Sequence, residues 1–199
     1  MDPDIPLPPG PADVHLPAPA TGADASARSA SSLAISWLRD LALSVVIAIV
    51  VILFLYQPVR VEGTSMKPTL IDEERIFINK FVYRFGDVTR GDVVVFWFPR
   101  DTTKSYIKRV IGVPGDTVEV RDGTVFVNAK KLYEPYVTEE NRDHASMDAK
   151  ELGTDEFFVL GDHRNASNDS RAWGLVPRSY IYGKAVFVYW PLDRMGVLH

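Results

Sequence analysis

The feature that most constrains this chain is an apolar run from Leu41 to Tyr56, interrupted only by Ser44. As an α-helix these 16 residues (56 minus 41, plus 1) would rise about 24 Å, which is short of a hydrocarbon core of about 30 Å. Residues 33–38 can supply the missing length, with Trp37 at the depth of the membrane interface. The sequence therefore predicts a single transmembrane helix over residues 33–56.

Two other interpretations of this run fit less well. A cleavable signal peptide has a short amino-terminal flank and a small-x-small cleavage site, whereas a long segment precedes this run and residues 61–63 form no such site. A buried core helix would need protein on every side, because no polar stripe interrupts the run. Flanking charge favours a cytoplasmic amino terminus only slightly, since Arg28 and Arg39 before the run are offset by Arg60 and Lys67 after it.

The segments on either side of the apolar run differ in amino-acid composition. Residues 1–32 are rich in Pro, Ala, Asp and Ser and have no hydrophobic period, so we expect a disordered cytoplasmic tail. Residues 57–199 contain short β-branched and aromatic runs separated by Gly, Pro and Asp, which is typical of antiparallel β-structure. The expected fold is therefore mostly β, with an antiparallel β-sheet domain preceded by a single transmembrane α-helix.

Eight strands are predicted in this domain. Asp122-Gly123 between two of them is a two-residue hairpin signal, and the polar segment 136–152 has no strand period and is expected to be a loop or insertion. The predicted strands are Val59–Glu62, Arg75–Asn79, Asp92–Phe98, Ser105–Val113, Thr117–Arg121, Thr124–Asn128, Phe157–Leu160 and Gly183–Trp190.

Composition excludes several classes of function. The net charge of -4 and the lack of a long basic run argue against nucleic-acid binding. The chain has no cysteine, which rules out disulfides, a thiol nucleophile and a Cys-ligated metal site.

Ser65 lies in a conformationally restricted stretch just beyond the apolar run. Gly63 allows a sharp turn two residues before it, and Pro68 biases Lys67 to an extended conformation. A restricted hydroxyl at this place is a candidate nucleophile, although this stretch alone favours an ordinary surface turn.

A serine nucleophile needs a neighbouring base. His15 falls in the expected tail, His199 is the last residue, and neither His144 nor His163 lies in a recognisable triad or metal motif.

Lys108 is the other candidate base, because it stands beside Arg109 inside an otherwise apolar strand. Neighbouring side chains point to opposite faces, so Lys108 shares its face with Tyr106 and Val110. Apolar surroundings disfavour the ammonium form and should lower the pKa of Lys108 towards that of a general base. Arg109 stays charged and is expected to form an ion pair. The alternative for Lys108 is a side chain reaching water from an edge strand.

Taken together, four blocks of the sequence resemble type I signal peptidases, the membrane-anchored Ser/Lys endopeptidases that remove signal peptides from exported proteins. Their order, their spacing and the preceding anchor all agree, over about residues 40–192. The blocks are Gly63–Thr69, Arg90–Phe96, Tyr106–Glu119 and Gly161–Arg171.

The resemblance implies a role for each matched residue. Ser65 would be the acylated nucleophile, Lys108 the general base, and Ser167 the hydroxyl that orients the amine. A supporting network of ion pairs would comprise Asp162, Asp169, Arg171 and Arg109, and small pockets for the substrate would involve Val61, Met66 and Ile107. Some members carry a serine where this chain has Gly63, so the oxyanion hole would depend on main-chain N–H groups around Gly63 and Ser65, chiefly that of Ser65.

The resemblance also implies the setting of the enzyme. It would cleave preproteins after a small-x-small motif on the outer side of the cytoplasmic membrane, in contact with the lipid bilayer and without metal or cofactor. His163 stands where asparagine is common in the family and is interpreted as a tolerated polar substitution.

Self-cleaving repressor-type Ser/Lys proteases fit less well because this chain has an anchor and no DNA-binding module. A non-enzymatic, membrane-tethered β-domain that binds export partners is the remaining alternative.

Overall fold

The computed structural model describes residues 22–198, so residues 1–21 of the expected tail and His199 lie outside the described part. One long helix, α1 (Gly22–Leu55), contains all of the apolar run except Tyr56, which begins the first strand. Its window Ile35–Ile52 has a mean hydropathy of 2.2 and no buried residues, so by length and composition it could cross a membrane. The helix begins at Gly22 rather than Leu33, so it includes residues 22–32 of the expected tail. This stretch is rich in alanine and has no proline, which favours helix.

The rest of the chain is built on two antiparallel sheets. The large sheet has the order β1 (Tyr56–Arg60), β2 (Arg75–Asn79), β11 (Ile181–Trp190), β3 (Val93–Phe98), β4 (Asp101–Gly112), β9 (Glu156–Leu160) and β10 (Val176–Pro177), with β12 (Gly196–Val197) beside β11. The small sheet has the order β7 (Lys130–Lys131), β6 (Thr124–Val127), β5 (Thr117–Arg121) and β8 (Met147–Glu151). Two short helices, α2 (Val82–Phe85) and α3 (Ser170–Trp173), lie between strands. The fold is thus mostly antiparallel β after an apolar helix, as predicted.

Sequence patterns located most of these strands. The bounds of β2 and β5 are those predicted, and the β5–β6 hairpin turns through Asp122 and Gly123 with φ values of 45° and 72°. The loop expected over residues 136–152 is wrong for β8, which pairs with β5. Four of the five β8 side chains are exposed, so this edge strand has no buried face to produce a strand period.

The strands enclose apolar clusters that support the loop carrying Ser65. One cluster brings buried Met66 and Leu70 from this loop against Ile76 of β2 and Val93 and Val95 of β3. Apolar burial on both sides of Ser65 therefore fixes the loop on the sheet.

Candidate active site

Local hydrogen bonds hold the Ser65 loop in a defined turn. Gly63 has φ of +92°, a conformation that favours glycine, and its N–H donates to Asp72 Oδ1 at 2.8 Å. The Lys67 N–H donates to the Thr64 carbonyl at 3.1 Å. The serine is thus presented on a rigid turn, as its sequence context predicted.

Lys108 reaches this serine from β4. Its Nζ lies 2.7 Å from Ser65 Oγ and donates to the Ile107 carbonyl at 3.0 Å. The side chain is only 4% exposed, and the Tyr106 ring centroid lies 5.5 Å from Nζ. The structure therefore excludes the alternative of a solvated edge lysine.

Burial also decides the protonation of this amine. Desolvation lowers the pKa of Lys108 to about 8, although the carboxylates of Asp169 and Asp162 act in the opposite direction. A neutral amine has two N–H groups and one lone pair. With one N–H donated to the Ile107 carbonyl, the lone pair can accept the Ser65 hydroxyl proton across the 2.7 Å contact.

Arg109 points to the opposite side of β4 and forms the ion pair predicted from its sequence. Its Nε and one Nη donate to the two oxygens of Asp162 at 2.9 and 2.7 Å. Thr69 Oγ1 donates to the same carboxylate at 2.5 Å, which connects the end of the Ser65 loop to this pair. The guanidinium also lies 4.0 Å from the Tyr136 ring centroid.

The segment after β9 closes against the back of the Ser65 loop. A Cβ on Gly161 would lie 2.4 Å from the Ser65 carbonyl oxygen and 2.2 Å from Ser167 Oγ, so glycine is required by space. The His163 N–H donates to the Ser65 carbonyl at 3.1 Å, and its Nδ1 lies 3.1 Å from the Thr64 carbonyl oxygen. His163 therefore binds the main chain of the loop, a role that the sequence did not reveal.

A second group of buried charges shapes this segment. Asp169 accepts from the Gly161 N–H at 3.1 Å and from Arg171 at 2.8 and 2.7 Å. Arg171 also pairs with Asp143. Arg164 donates to the Gly161 carbonyl at 3.0 Å and pairs with buried Glu134, two residues that sequence analysis missed. A strand or helix period carries no information about such a distant pair.

Two expected roles differ from the contacts observed. The Ser167 hydroxyl is buried and has no hydrogen-bond partner in the described part of the chain, and the lysine contact expected of it is made by the Ile107 carbonyl. The Gly63 N–H is engaged by Asp72, so Gly63 is not positioned as an oxyanion donor. The Ile107 carbonyl therefore takes the place expected of Ser167 beside Lys108, and Asp72 takes the Gly63 N–H that was expected to face the oxyanion.

A groove of about 730 Å³ runs past the Ser65–Lys108 pair. Its walls include residues at and after the end of β1 on one side and residues 104–108 of β4 on another. Val61, Met66 and Ile107, the three residues expected to contact substrate, all line it. Across residues 22–198 no group of three or more His, Asp or Glu side chains is arranged to hold a metal ion.

Comparison with known proteins gives consistent matches. The family model described as signal peptidase, peptidase S26, matches residues 34–190. Signal peptidase I P of Bacillus subtilis subsp. natto is 40% identical over 170 residues, covering 81% of this chain and 91% of the relative. Signal peptidase I T of Bacillus subtilis strain 168 is 35% identical over 185 residues, covering 88% and 95%. The protein in a crystal structure of a signal peptidase I from Enterococcus faecalis V583 is 30% identical to this chain. The match covers 50% of this chain and 97% of the solved chain, and its TM-score of 0.44 is not used to assign the fold.

Proposed function

Because the chain belongs to the signal peptidase family of S26 peptidases, we propose that it is a membrane-bound serine endopeptidase that cleaves signal peptides with Ser65 and Lys108 as its catalytic pair. The observation that carries the proposal is the 2.7 Å contact between Ser65 Oγ and the Nζ of a buried lysine. A lysine whose pKa is lowered to about 8 supplies a base at near-neutral pH without a histidine.

The chemistry is acyl transfer in two steps. Neutral Lys108 accepts the Ser65 proton as Oγ attacks the scissile carbonyl, and the resulting ammonium returns the proton to the leaving amine. The same amine then takes a proton from the water that hydrolyses the ester and returns it to Ser65 Oγ as the acyl product leaves. Main-chain N–H groups stabilise the oxyanion, chiefly that of Ser65, since the Gly63 N–H is already bound to Asp72.

The surrounding residues keep this pair in place. Arg109 and Asp162 fix the strand behind Lys108, and Asp169 with Arg171 fixes the segment that contacts the Ser65 loop.

Substrate would bind in the groove as an extended strand, with main-chain hydrogen bonds to its edges. Val61 and Met66 are almost fully buried, so their side chains form walls rather than deep pockets. Shallow apolar walls favour the small residues of a small-x-small motif. The helix window Ile35–Ile52 would anchor the enzyme in the cytoplasmic membrane, with the β-domain on the outer side where exported preproteins emerge.

Cleavage of one labelled preprotein by the purified full-length chain tests this function. Ser65→Ala should lower kcat/KM at least about 1,000-fold, because the nucleophile is lost while the fold remains. Ser105→Ala is a matched control, since Ser105 lines the same groove but only accepts a hydrogen bond from Tyr182. Clear turnover by Ser65→Ala, or equal loss in Ser105→Ala, would refute the assignment of the nucleophile.

A further inference from the structure

A second cavity, of about 550 Å³, combines three cations with aromatic side chains. No aspartate or glutamate lines it. Its lining residues are Gln57, Lys80, Tyr83, Arg84, Trp97, Arg178, Ile181 and Tyr182. We refer to this site as the basic cavity.

The cations of the basic cavity differ from buried Arg109 and Arg164, each of which pairs with a buried carboxylate. None of Lys80, Arg84 and Arg178 forms a salt bridge within 4.0 Å to a carboxylate of residues 35–198. Arg178 is instead held by main-chain carbonyls, donating to that of Tyr83 at 2.7 Å. Lys80 and Arg84 are exposed. Within residues 35–198, the cavity thus holds positive charge that no carboxylate pairs with.

Exposed aromatic side chains lie beside the cations of the basic cavity, as they do in proteins at the boundary between lipid and water. Trp97 is 42% exposed, and its ring lies 5.1 Å from that of Tyr182. Phe85, next to Arg84, is 90% exposed although it is large and apolar. Tryptophan and tyrosine beside lysine and arginine are enriched where proteins meet the boundary between lipid and water.

The start of β1 ties the basic cavity to the end of the apolar helix. Gln57 lies two residues after Leu55, the last residue of α1. Two residues of chain span at most about 7 Å, so this wall of the cavity stays near the point where the chain leaves the helix.

We propose that the basic cavity binds the phosphate group of an anionic phospholipid headgroup. A phosphate diester carries one negative charge and accepts charge-assisted hydrogen bonds from lysine and arginine, both of which line the basic cavity. A free phosphate ion would use the same cations, but it would gain nothing from the exposed aromatic rings or from the adjacent helix end. The proposal goes beyond peptide cleavage and does not depend on the Ser65–Lys108 pair.

One residue connects this site with the groove. The Tyr182 ring lines both cavities, and its hydroxyl donates to Ser105 Oγ of the groove at 2.9 Å. The basic cavity and the groove thus meet at Tyr182.

Lipid binding to the full-length chain in a neutral detergent tests the proposal by native mass spectrometry. The probes are phosphatidylglycerol, phosphatidylcholine and inorganic phosphate. The test variant is Lys80→Gln with Arg84→Gln, and the control is Lys130→Gln with Lys131→Gln on exposed β7, which removes the same charge elsewhere. Arg178 is left intact because its hydrogen bonds hold the main chain. Equal unfolding midpoints by circular dichroism establish that both variants are folded.

The expected result is one phosphatidylglycerol bound by the wild type, with its dissociation constant raised at least about tenfold in the test variant and unchanged in the control. Phosphatidylcholine should bind more weakly than phosphatidylglycerol. Equal affinity in the test variant and the wild type, or equal loss in both variants, would overturn the site. Displacement of phosphatidylglycerol by an equal concentration of inorganic phosphate would identify a free-anion site and overturn the lipid assignment.

Discussion

Asp162→Asn should destabilise the β-domain and shift its pH profile at the same time. The two partners are 2% and 0% exposed, so the substitution leaves Arg109 buried beside a neutral amide. Breaking a buried ion pair from one side costs about 3–5 kcal/mol. The thermal unfolding midpoint should fall by roughly 10 °C.

The same substitution should lower the pKa of Lys108. The Asp162 carboxylate acts to raise that pKa, so its removal favours the neutral amine. The midpoint of the rise in kcat/KM with pH should therefore move below about 8. The assays are thermal unfolding by circular dichroism and peptide cleavage across pH, both on the full-length protein in detergent.

An exposed pair of similar geometry provides the control for Asp162→Asn. Arg121 donates from two nitrogens to the two oxygens of Glu119, each at 2.5 Å, but this pair lies at the surface. Glu119→Gln should leave the unfolding midpoint almost unchanged, because solvent screens the pair. If Asp162→Asn unfolds at the wild-type temperature, or if its pH midpoint moves upward, the reasoning about this buried pair is refuted.

Two further predictions concern the segment behind the nucleophile. Gly161→Ala should lower kcat at least about 100-fold, because the added Cβ would displace the Ser65 main chain. Gly196→Ala is the control and should be tolerated, since its Cβ would have no atom within 4 Å. Full activity in Gly161→Ala would contradict the packing described. His163→Ala should lower kcat about fivefold, which corresponds to the loss of one hydrogen bond of about 1 kcal/mol, and should not move the pH midpoint. His163→Asn should restore most of the lost kcat, because the asparagine amide can donate to the Thr64 carbonyl. A shifted pH midpoint in His163→Ala would instead mean that the imidazole titrates in the reaction.

Local patterns were informative where one face of an element is buried. The alternation along β4 separated Lys108 from Arg109 and predicted a buried amine on one side and an ion pair on the other, as observed. The exposed strand β8 was not predicted because four of its five side chains are exposed, so it lacks the buried apolar face that produces a strand period.

Contacts between distant segments could not be predicted from periodicity. The Arg164–Glu134 pair joins residues 30 positions apart, and neither partner stands out in its own segment. The binding of His163 to two carbonyls of the Ser65 loop likewise depends on how two loops meet in space. The resemblance to a family predicted which residues lie in the site, whereas the folded structure shows which atoms they contact.

The central claim is that neutral Lys108 is the base, and kcat/KM against pH for one peptide tests it most directly. Because the charged amine cannot accept a proton, the wild-type rate should rise with pH as Lys108 deprotonates, with a midpoint near 8 rather than at the ordinary lysine pKa of 10.5. Lys108→Arg should be inactive at every pH, since guanidinium keeps its proton. A rising limb near about 6.5 that disappears in His163→Ala, together with an active Lys108→Arg, would contradict the account.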